Sequence, residues 1–340
     1  MANFKKDILL TGAGFSANFG GLLAREMWSK ILNNPKIETL PAIKELLKSD
    51  FDFESVYSNV KRSGSFTAPD KLTFQDVVME SYASMDDALK GYGLSGQDPF
   101  GVYIGGVTKF LGSFAGRAEE KGVHFTLNQD LFLERQTQIV PLGLPMYQYR
   151  DYHAAIQSRQ VDARQKIPLP DSAFLDNFKE KHFEATGDFC YIKLHGSIGW
   201  MSSDGQSQMI VGTNKLEDIN KEPLLKWYFE LFKEAISRKG VRLFVSGYSF
   251  RDKHVNECLL KAIDEHGLKI YVISPEDPER FKNRMEGRPE QVATWEVSEN
   301  VKIWKAVSGY FPYRLRDIFP SDQSNTHIRS DLEKTLGVRF

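Results

Sequence analysis

The stretch Asp7-Ile-Leu-Leu-Thr-Gly-Ala-Gly-Phe-Ser-Ala17 decides how the chain is read. An apolar run, Ile8 to Thr11, breaks into a glycine-rich turn, and apolar residues at helical spacing follow from Leu22 to Leu32, towards a stop at Pro35. Gly12 and Gly14 lack a Cβ, so the backbone can turn tightly and approach an anion held by the N–H groups that open the next helix. With Ala17 the stretch fits the G-x-G-x-x-G/A form of a dinucleotide fingerprint. A plain strand-to-helix turn that needs small residues is the competing reading, and the later loops decide between the two.

Working outward, the chain has 340 residues, 41% hydrophobic and 12% aromatic, enough to bury a sizeable core. A net charge of -1 leaves no overall basic footprint, so direct nucleic-acid binding is not expected. No apolar run approaches the ~20 residues that span a bilayer, which predicts no membrane association and a cytoplasmic protein. The two cysteines, Cys190 and Cys258, are far apart in apolar surroundings and support neither a disulfide framework nor a thiolate zinc site. No short histidine spacing suggests a metal, and none is expected.

The second strand that usually follows a dinucleotide loop, with an acid for the ribose, is missing after Pro35. Helical patterns occupy Pro41 to Ser49, Phe53 to Arg62, Leu72 to Leu89 and Gly105 to Glu120, separated by Gly and Pro clusters such as Tyr92 to Gly101. A helical subdomain, about 35–120, is thus inserted after the first strand–helix unit. Val123 to Leu127 is the next strand, ending in the polar corner Asn128-Gln-Asp130. An irregular stretch, about 135–186, follows with one helix near Asp171 to Phe183 and is expected to wrap or lid a cleft. Then come the strand Phe189 to Leu194 running into His195-Gly-Ser197, a helix from Lys221 to Arg238, the strand Val241 to Ser246 running into Gly247-Tyr-Ser249, a helix to His266, and the strand Leu268 to Ile273 ending at Ser274-Pro-Glu276. Val301 to Trp304 is read as a last strand. This order predicts an α/β, Rossmann-like, mostly parallel doubly wound sheet, with ligands bound outside the carboxyl ends of its strands.

Taken singly, these loop residues have bland readings. His195 can be a core histidine, and Asn128 and Asp130 can be turn or cap residues. Asp252 suits a capping role at the next helix start, the lysines and arginines of 215–242 suit a solvated helix face, and His124, His153, His182, His254, His266 and His327 receive no role.

Together, Gly12-Ala-Gly-Phe-Ser16, Asn128-Gln-Asp130, His195-Gly-Ser197 and Gly247-Tyr-Ser249, four polar sets in order at strand ends, resemble the sirtuin family. The longer forms Lys193-Leu-His-Gly-Ser197 and Gly247-Tyr-Ser-Phe-Arg-Asp252 look most like its bacterial anti-phage branch of NAD hydrolases. The resemblance implies one NAD-binding catalytic domain over residues 1–305, followed by a C-terminal appendage, 306–340, that packs on it or mediates oligomer contacts. It implies that Gly12, Ala13, Gly14 and Ser16 hold the pyrophosphate, with Arg25 pairing its charge. Asn128 and Asp130 would address the nicotinamide half, His195 would be the catalytic histidine, Gly247 and Ser249 would hold the phosphate and adenosine-side ribose, and Ser274 or Glu276 would lie near the ribose hydroxyls.

Two departures bear on the activity that the resemblance implies. Deacetylating sirtuins carry a four-cysteine zinc ribbon, which this chain cannot make, and Leu22, Leu23 and Ala24 stand where the family has Pro-Asp-Phe, removing the aromatic ring that shields the reacting sugar. Both favour hydrolysis of NAD, as substrate, over acyl-lysine chemistry. NAD-dependent deacylase or ADP-ribosyltransferase activity and non-catalytic NAD or ADP-ribose sensing are the alternatives; a hydride-transferring dehydrogenase is disfavoured by the missing second strand. The resemblance also implies a homo-oligomer acting with a separately encoded partner, such as a HerA-like translocase ATPase or an Argonaute-like protein. The chain itself has no P-loop.

Overall fold

The computed structural model describes residues 3–92, 99–117, 120–183, 187–202, 205, 207–287 and 300–340. Among them the strands are β1 (Asp7–Thr11), β2 (Gly122–Thr126), β3 (Ile167–Pro168), β4 (Phe189–Lys193), β5 (Gly196–Met201), β6 (Ser207–Met209), β7 (Arg242–Ser246), β8 (Lys269–Ile273) and β9 (Val307–Phe311). Six form one sheet in the order β4-β2-β1-β7-β8-β9, all parallel. Counting only these six along the chain, the order is that of the dinucleotide-binding doubly wound fold, 3-2-1-4-5-6. β2 is therefore the second strand that appeared to be missing; the helical insert delays it in sequence without displacing it in space.

Short apolar strands with both faces covered explain the parallel sheet. Ile8, Leu10, Phe125, Val245 and Val272 point into one core cluster, while Leu9, Tyr191, Phe244 and Tyr271 point into or pack against the other. The first face is covered by helix Pro223–Ile236, where Phe232 meets Phe125 edge-on at 5.1 Å, and by helix Lys253–His266. On the second face lie helix Ile104–Gly112 and the C-terminal helix His327–Leu336, with Phe110, Leu332 and Phe340 in the core between them.

Capping residues written into the sequence start the insert's helices. Asp52 accepts from the Glu54 and Ser55 N–H groups at the start of helix Phe53–Arg62, and Thr67 and Asp70 form a reciprocal capping box at the start of Ala68–Lys90. Helix Ile104–Gly112 is shorter than the expected Gly105 to Glu120, of which residues 118–119 lie outside the described residues; so does most of the Tyr92 to Gly101 cluster. The stretch expected to be irregular, about 135–186, contains helices Arg150–Gln157 and Ser172–Lys181 and strand β3, which joins β5 and β6 in a small second sheet.

One strand assignment needs correction. Val301 to Trp304 belongs to helix Asn300–Lys305, with Ile303 buried, and the last strand is β9. Four residues cannot distinguish a helical turn from an extended run by periodicity alone. Residues 306–340 supply that edge strand and the helix that closes the second face, so they are stitched into the sheet.

At the centre of the sheet the strand order reverses between β1 and β7, which run parallel, and their two loops interlock. The Gly14 N–H donates to the Gly247 carbonyl at 2.8 Å, and the Gly12 N–H to that of Ser246 at 3.1 Å. A Cβ on Gly12 would lie 2.8 Å from the Gly247 oxygen. Gly247 has φ +71°, and a Cβ there would lie 2.0 Å from the Phe15 nitrogen. Gly247→Ala should therefore cost at least about 2 kcal/mol through backbone strain and steric conflict, read as a lowered urea midpoint at unchanged slope. An unchanged midpoint would show that the loops separate freely.

Candidate functional site

β1 and β7 flank the topological switch point, where the carboxyl ends of parallel strands open a crevice for ligand. Buried side chains join the β1 loop to the β2 corner. Ser16 donates to Asp130 Oδ2 at 2.8 Å, and Asn128 Nδ2 donates to Ser16 Oγ at 2.9 Å. The other carboxylate oxygen of Asp130 accepts from the Phe132 N–H at 3.0 Å. Burial pushes Asp130 up from the usual carboxylate range, against the opposing pull of Lys193. Its contacts make Asp130 a clamp on Ser16, and through Ser16 on Asn128. With the Asn128 Nδ2 held in this way, its Oδ1 has no partner among the described residues and is available as an acceptor.

The β2 corner is fixed from below by charge. Lys193, at the end of β4 and fully buried, donates to the Asp130 carbonyl at 2.5 Å and pairs with buried Glu134 at 2.7 Å. Asp86, from the helical insert, pairs with buried Arg135 and accepts from the Leu131 N–H at 2.8 Å. Removing one partner of such a pair leaves an uncompensated charge, which costs more than the intact pair contributes.

His195 follows β4 and is 3% exposed. Its carbonyl accepts from the Ile210 N–H at 2.9 Å and from Gln129 Nε2 at 3.3 Å, which ties it to the β2 corner. Its ring meets His254, the two Nε2 atoms lying 3.0 Å apart. Asp252 stands beside both histidines, and it pairs with Lys215 at 2.7 Å; Lys215 also pairs with Glu54 of the helical insert at 2.9 Å.

Three earlier assignments therefore change. His254 packs on the candidate catalytic histidine. The Asp252 side chain caps nothing, and only its backbone carbonyl accepts at the helix start. Lys215 is buried rather than on a solvated face. None of these pairings has a local signature, because the partners are 37 to 161 positions apart in sequence.

The electrostatics follow from burial. Burial pushes His254 down to about 4 and His195 well below the usual histidine range, with Asp252 only partly offsetting it. Burial would raise Asp252, but Lys215 and the two neighbouring histidines together outweigh it and hold the carboxyl at about 2. Burial alone would lower Lys215, yet Glu54 and Asp252 together raise it. Among the described residues, His195, Asp252 and His254 are the group whose ligand atoms are spaced closely enough to hold a metal, within 4.8 Å. In this group Asp252 is already paired with the Lys215 ammonium at 2.7 Å.

The residues expected to contact phosphate and the adenosine side are arranged differently from one another. The amides of Gly12 and Gly14 serve the interlock with the β7 loop, while the helix they open, Ala13–Ala17, has no side-chain cap on its first N–H groups. Arg25 is exposed at the start of helix Ala24–Leu32, and its side chain makes no hydrogen bond or ion pair among the described residues. Ser249 and Glu276 are joined by Arg284, which pairs with the Glu276 carboxylate at 2.7 Å and donates to the Ser249 carbonyl at 2.6 Å. Ser274 Oγ accepts from the Glu276 N–H at 3.2 Å. Arg284 was not identified from the sequence, where it reads as one more charge on an amphipathic helix.

The β7 loop holds its shape through Tyr248, whose hydroxyl donates to Asn256 Oδ1 at 2.9 Å, and through Asn256, which donates to the Phe250 carbonyl at 2.7 Å. Phe250 has φ +57°, a strained value for a bulky residue that the Asn256 bond helps to maintain. A cavity of about 600 Å³ lies elsewhere, between Tyr57 and Met79 of the insert and Met209 to Val211 after β6. It adjoins His195 from the insert side through Ile210.

The strand order and these loops define the class: a Rossmann-like doubly wound α/β protein whose polar residues converge at the switch point. Residues 145–302 of the chain match the family model of the SIR2-like domain. SIR2-like domains use NAD as a substrate. The match includes His195, Gly247, Ser249, Asp252 and His254, and the glycine loop and Asn128 lie before it. No curated protein matches the sequence significantly. Cys190 and Cys258 are not joined in a disulfide, and burial pushes the Cys258 thiol up to about 11. Among the described residues, no helix is long and apolar enough to cross a membrane.

The buried neutral histidines give the fold a pH signature. An unfolded histidine titrates near ~6.5, whereas His254 stays neutral to about 4 and His124, against Thr11 at 2.9 Å, to about 3. Below pH 6.5 the unfolded chain binds protons that the fold refuses, so stability that is full above 6.5 is lost as pH falls towards the folded values. At pH 5 the loss is about 2 kcal/mol for each of these two residues. Urea unfolding of His254→Gln should show a pH 7-to-5 loss smaller than the wild type's by about that amount. Equal losses would place His254 in contact with water.

Proposed function

We propose that the protein is an NAD glycohydrolase that cleaves NAD to nicotinamide and ADP-ribose, and that it acts as an NAD-depleting effector in bacterial anti-phage defence. The observation that carries the reading is the bonded chain from Asn128 through Ser16 to Asp130, in the β2 corner whose Gln129 side chain donates to the His195 carbonyl.

The bond from ribose C1′ to the nicotinamide nitrogen has a cationic leaving group, so no acid is needed to expel it. The protein's tasks are to hold the sugar as it gains oxocarbenium character, to place a water, and to take that water's proton. Asn128, its amide nitrogen held by Ser16, turns its Oδ1 towards the sugar or the water. His195, kept neutral by burial, is the base. The bond pair leaves with nicotinamide, the water oxygen bonds to C1′, and the surplus proton passes to the histidine. Asp130 acts as a positioning residue.

Gly12 to Ser16 and Gly247 would flank the pyrophosphate, with Ala13 lending its first-turn N–H and Arg25 closing from the helix start. Ser249, Ser274 and Glu276, braced by Arg284, suit the adenosine-side ribose. The deacylase alternative lacks support from a zinc ribbon, because two cysteines cannot make a four-thiolate site. Association into a homo-oligomer and control by a separately encoded ATPase or Argonaute-like partner belong to the same proposal, supported by the resemblance of the motifs.

Purified protein given NAD should release nicotinamide without any peptide, and both Asn128→Ala and His195→Ala should lower the rate on the order of 100-fold or more. Ser16→Ala should lower kcat more than it raises KM, since it frees Asn128 without removing it. Release that requires an acylated peptide would contradict the proposal.

A further inference from the structure

We propose that His254 is the proton-relay partner of His195. In this arrangement His195 carries its resting proton on Nε2, presents a bare Nδ1 to the reacting water or sugar hydroxyl, and passes the Nε2 proton to His254 as Nδ1 takes up the new one. The inference rests on the NAD-cleaving reading and extends it to a residue and a tautomer that the family match does not assign.

The geometry sets the choice. Two neutral imidazoles whose Nε2 atoms lie 3.0 Å apart share a single proton, so one ring donates and the other accepts. If His254 donated, His195 would have to carry its own proton on Nδ1, and no lone pair would be left for catalysis. With His195 as donor, its Nδ1 is free and a path for the displaced proton is already in place. The ring centroids are 5.1 Å apart, and Phe229, 5.5 Å from the His254 ring, forms an apolar wall on that side.

His254 is also where a positive charge is best received. Around it stand Asp252 and, through Asp252, Lys215 and Glu54. Two carboxylates and one ammonium sum to one negative charge, so a proton arriving on His254 brings the group to neutrality. His195 is the more deeply buried of the two rings, and the proton moves towards the one that is less withdrawn from water.

The step balances without a further reactant. The water O–H bond breaks, its oxygen bonds to C1′ as nicotinamide leaves with the old bond pair, Nδ1 of His195 gains the water proton, and His254 Nε2 gains the proton His195 gives up. After the products leave, His254 returns this proton to His195 Nε2 as the proton on His195 Nδ1 passes to solvent, which restores the resting tautomer. His254 touches no reacting atom and acts through His195, so it is a positioning and relay residue.

Two measurements on the full chain test this. In the imidazole-¹⁵N-labelled protein without substrate, a through-hydrogen-bond coupling should join the two Nε2 atoms, with the proton on His195 and the His254 Nε2 bare; His254→Gln assigns the signals. A proton on the His254 Nε2, or no coupling, would overturn the relay whether or not the protein cleaves NAD. Under turnover, His254→Gln should lower kcat on the order of 10- to 100-fold at unchanged KM for NAD, and the solvent-isotope proton inventory should change from curved to linear. Wild-type kcat with an unchanged inventory would also overturn it. A wild type that releases no nicotinamide at all counts against the NAD-cleaving reading alone, and the coupling then decides the tautomer.

Discussion

Everything at the site depends on the backbone contact between the loops after β1 and β7. Gly14 donates to the Gly247 carbonyl, and three glycines, Gly12, Gly14 and Gly247, let two main chains pack where any side chain would intrude. Because the order in which strands are added reverses between these two parallel strands, the contact lies at the floor of the crevice, beside Ser16. From Ser16 the order spreads sideways to Asp130 and Asn128, and from the β2 corner through Gln129 to His195. A glycine pattern that usually serves to admit a phosphate serves here first to admit another loop.

Charge that is expensive to bury is concentrated beneath and behind this floor. Lys193 with Glu134, Arg135 with Asp86, and Lys215 with Glu54 and Asp252 are withdrawn from water to different degrees. Pairs of this kind add little net stability compared with an apolar core, but each fixes an orientation, since breaking it strands a charge. Two of the three reach into the helical insert, through Asp86 and Glu54. The insert is thereby tied both to the corner that carries Asn128 and to the cluster behind His195, so a shift of its helices would be felt at both.

Much of this was legible in the sequence because it is local. The glycine loop, the polar corner after β2, the His-Gly turn and the Gly-Tyr-Ser loop are short patterns at strand ends, and the strand–helix alternation after residue 187 gave the parallel sheet. The rest was hidden for physical reasons. β2 looked like a late strand because its place in the sheet is set by hydrogen bonds to β1, across the whole helical insert. β9 was misplaced because the apolar spacing of Val301 to Trp304 fits one helical turn as well as an extended run. His254, Lys215 and Arg284 sit on helices whose charge patterns resemble any solvated face, and only the fold reveals that their partners come from distant segments.

The central claim is that the four strand-end loops form one pocket that grips NAD as a substrate. The most direct measurement is the structure of the His195→Ala chain with NAD bound. The pyrophosphate should lie between Gly12–Ser16 and the Gly247 loop, with the nicotinamide-side ribose over Asn128. NAD lodged instead in the 600 Å³ cavity between the helical insert and the small sheet, with the strand-end loops empty, would contradict it.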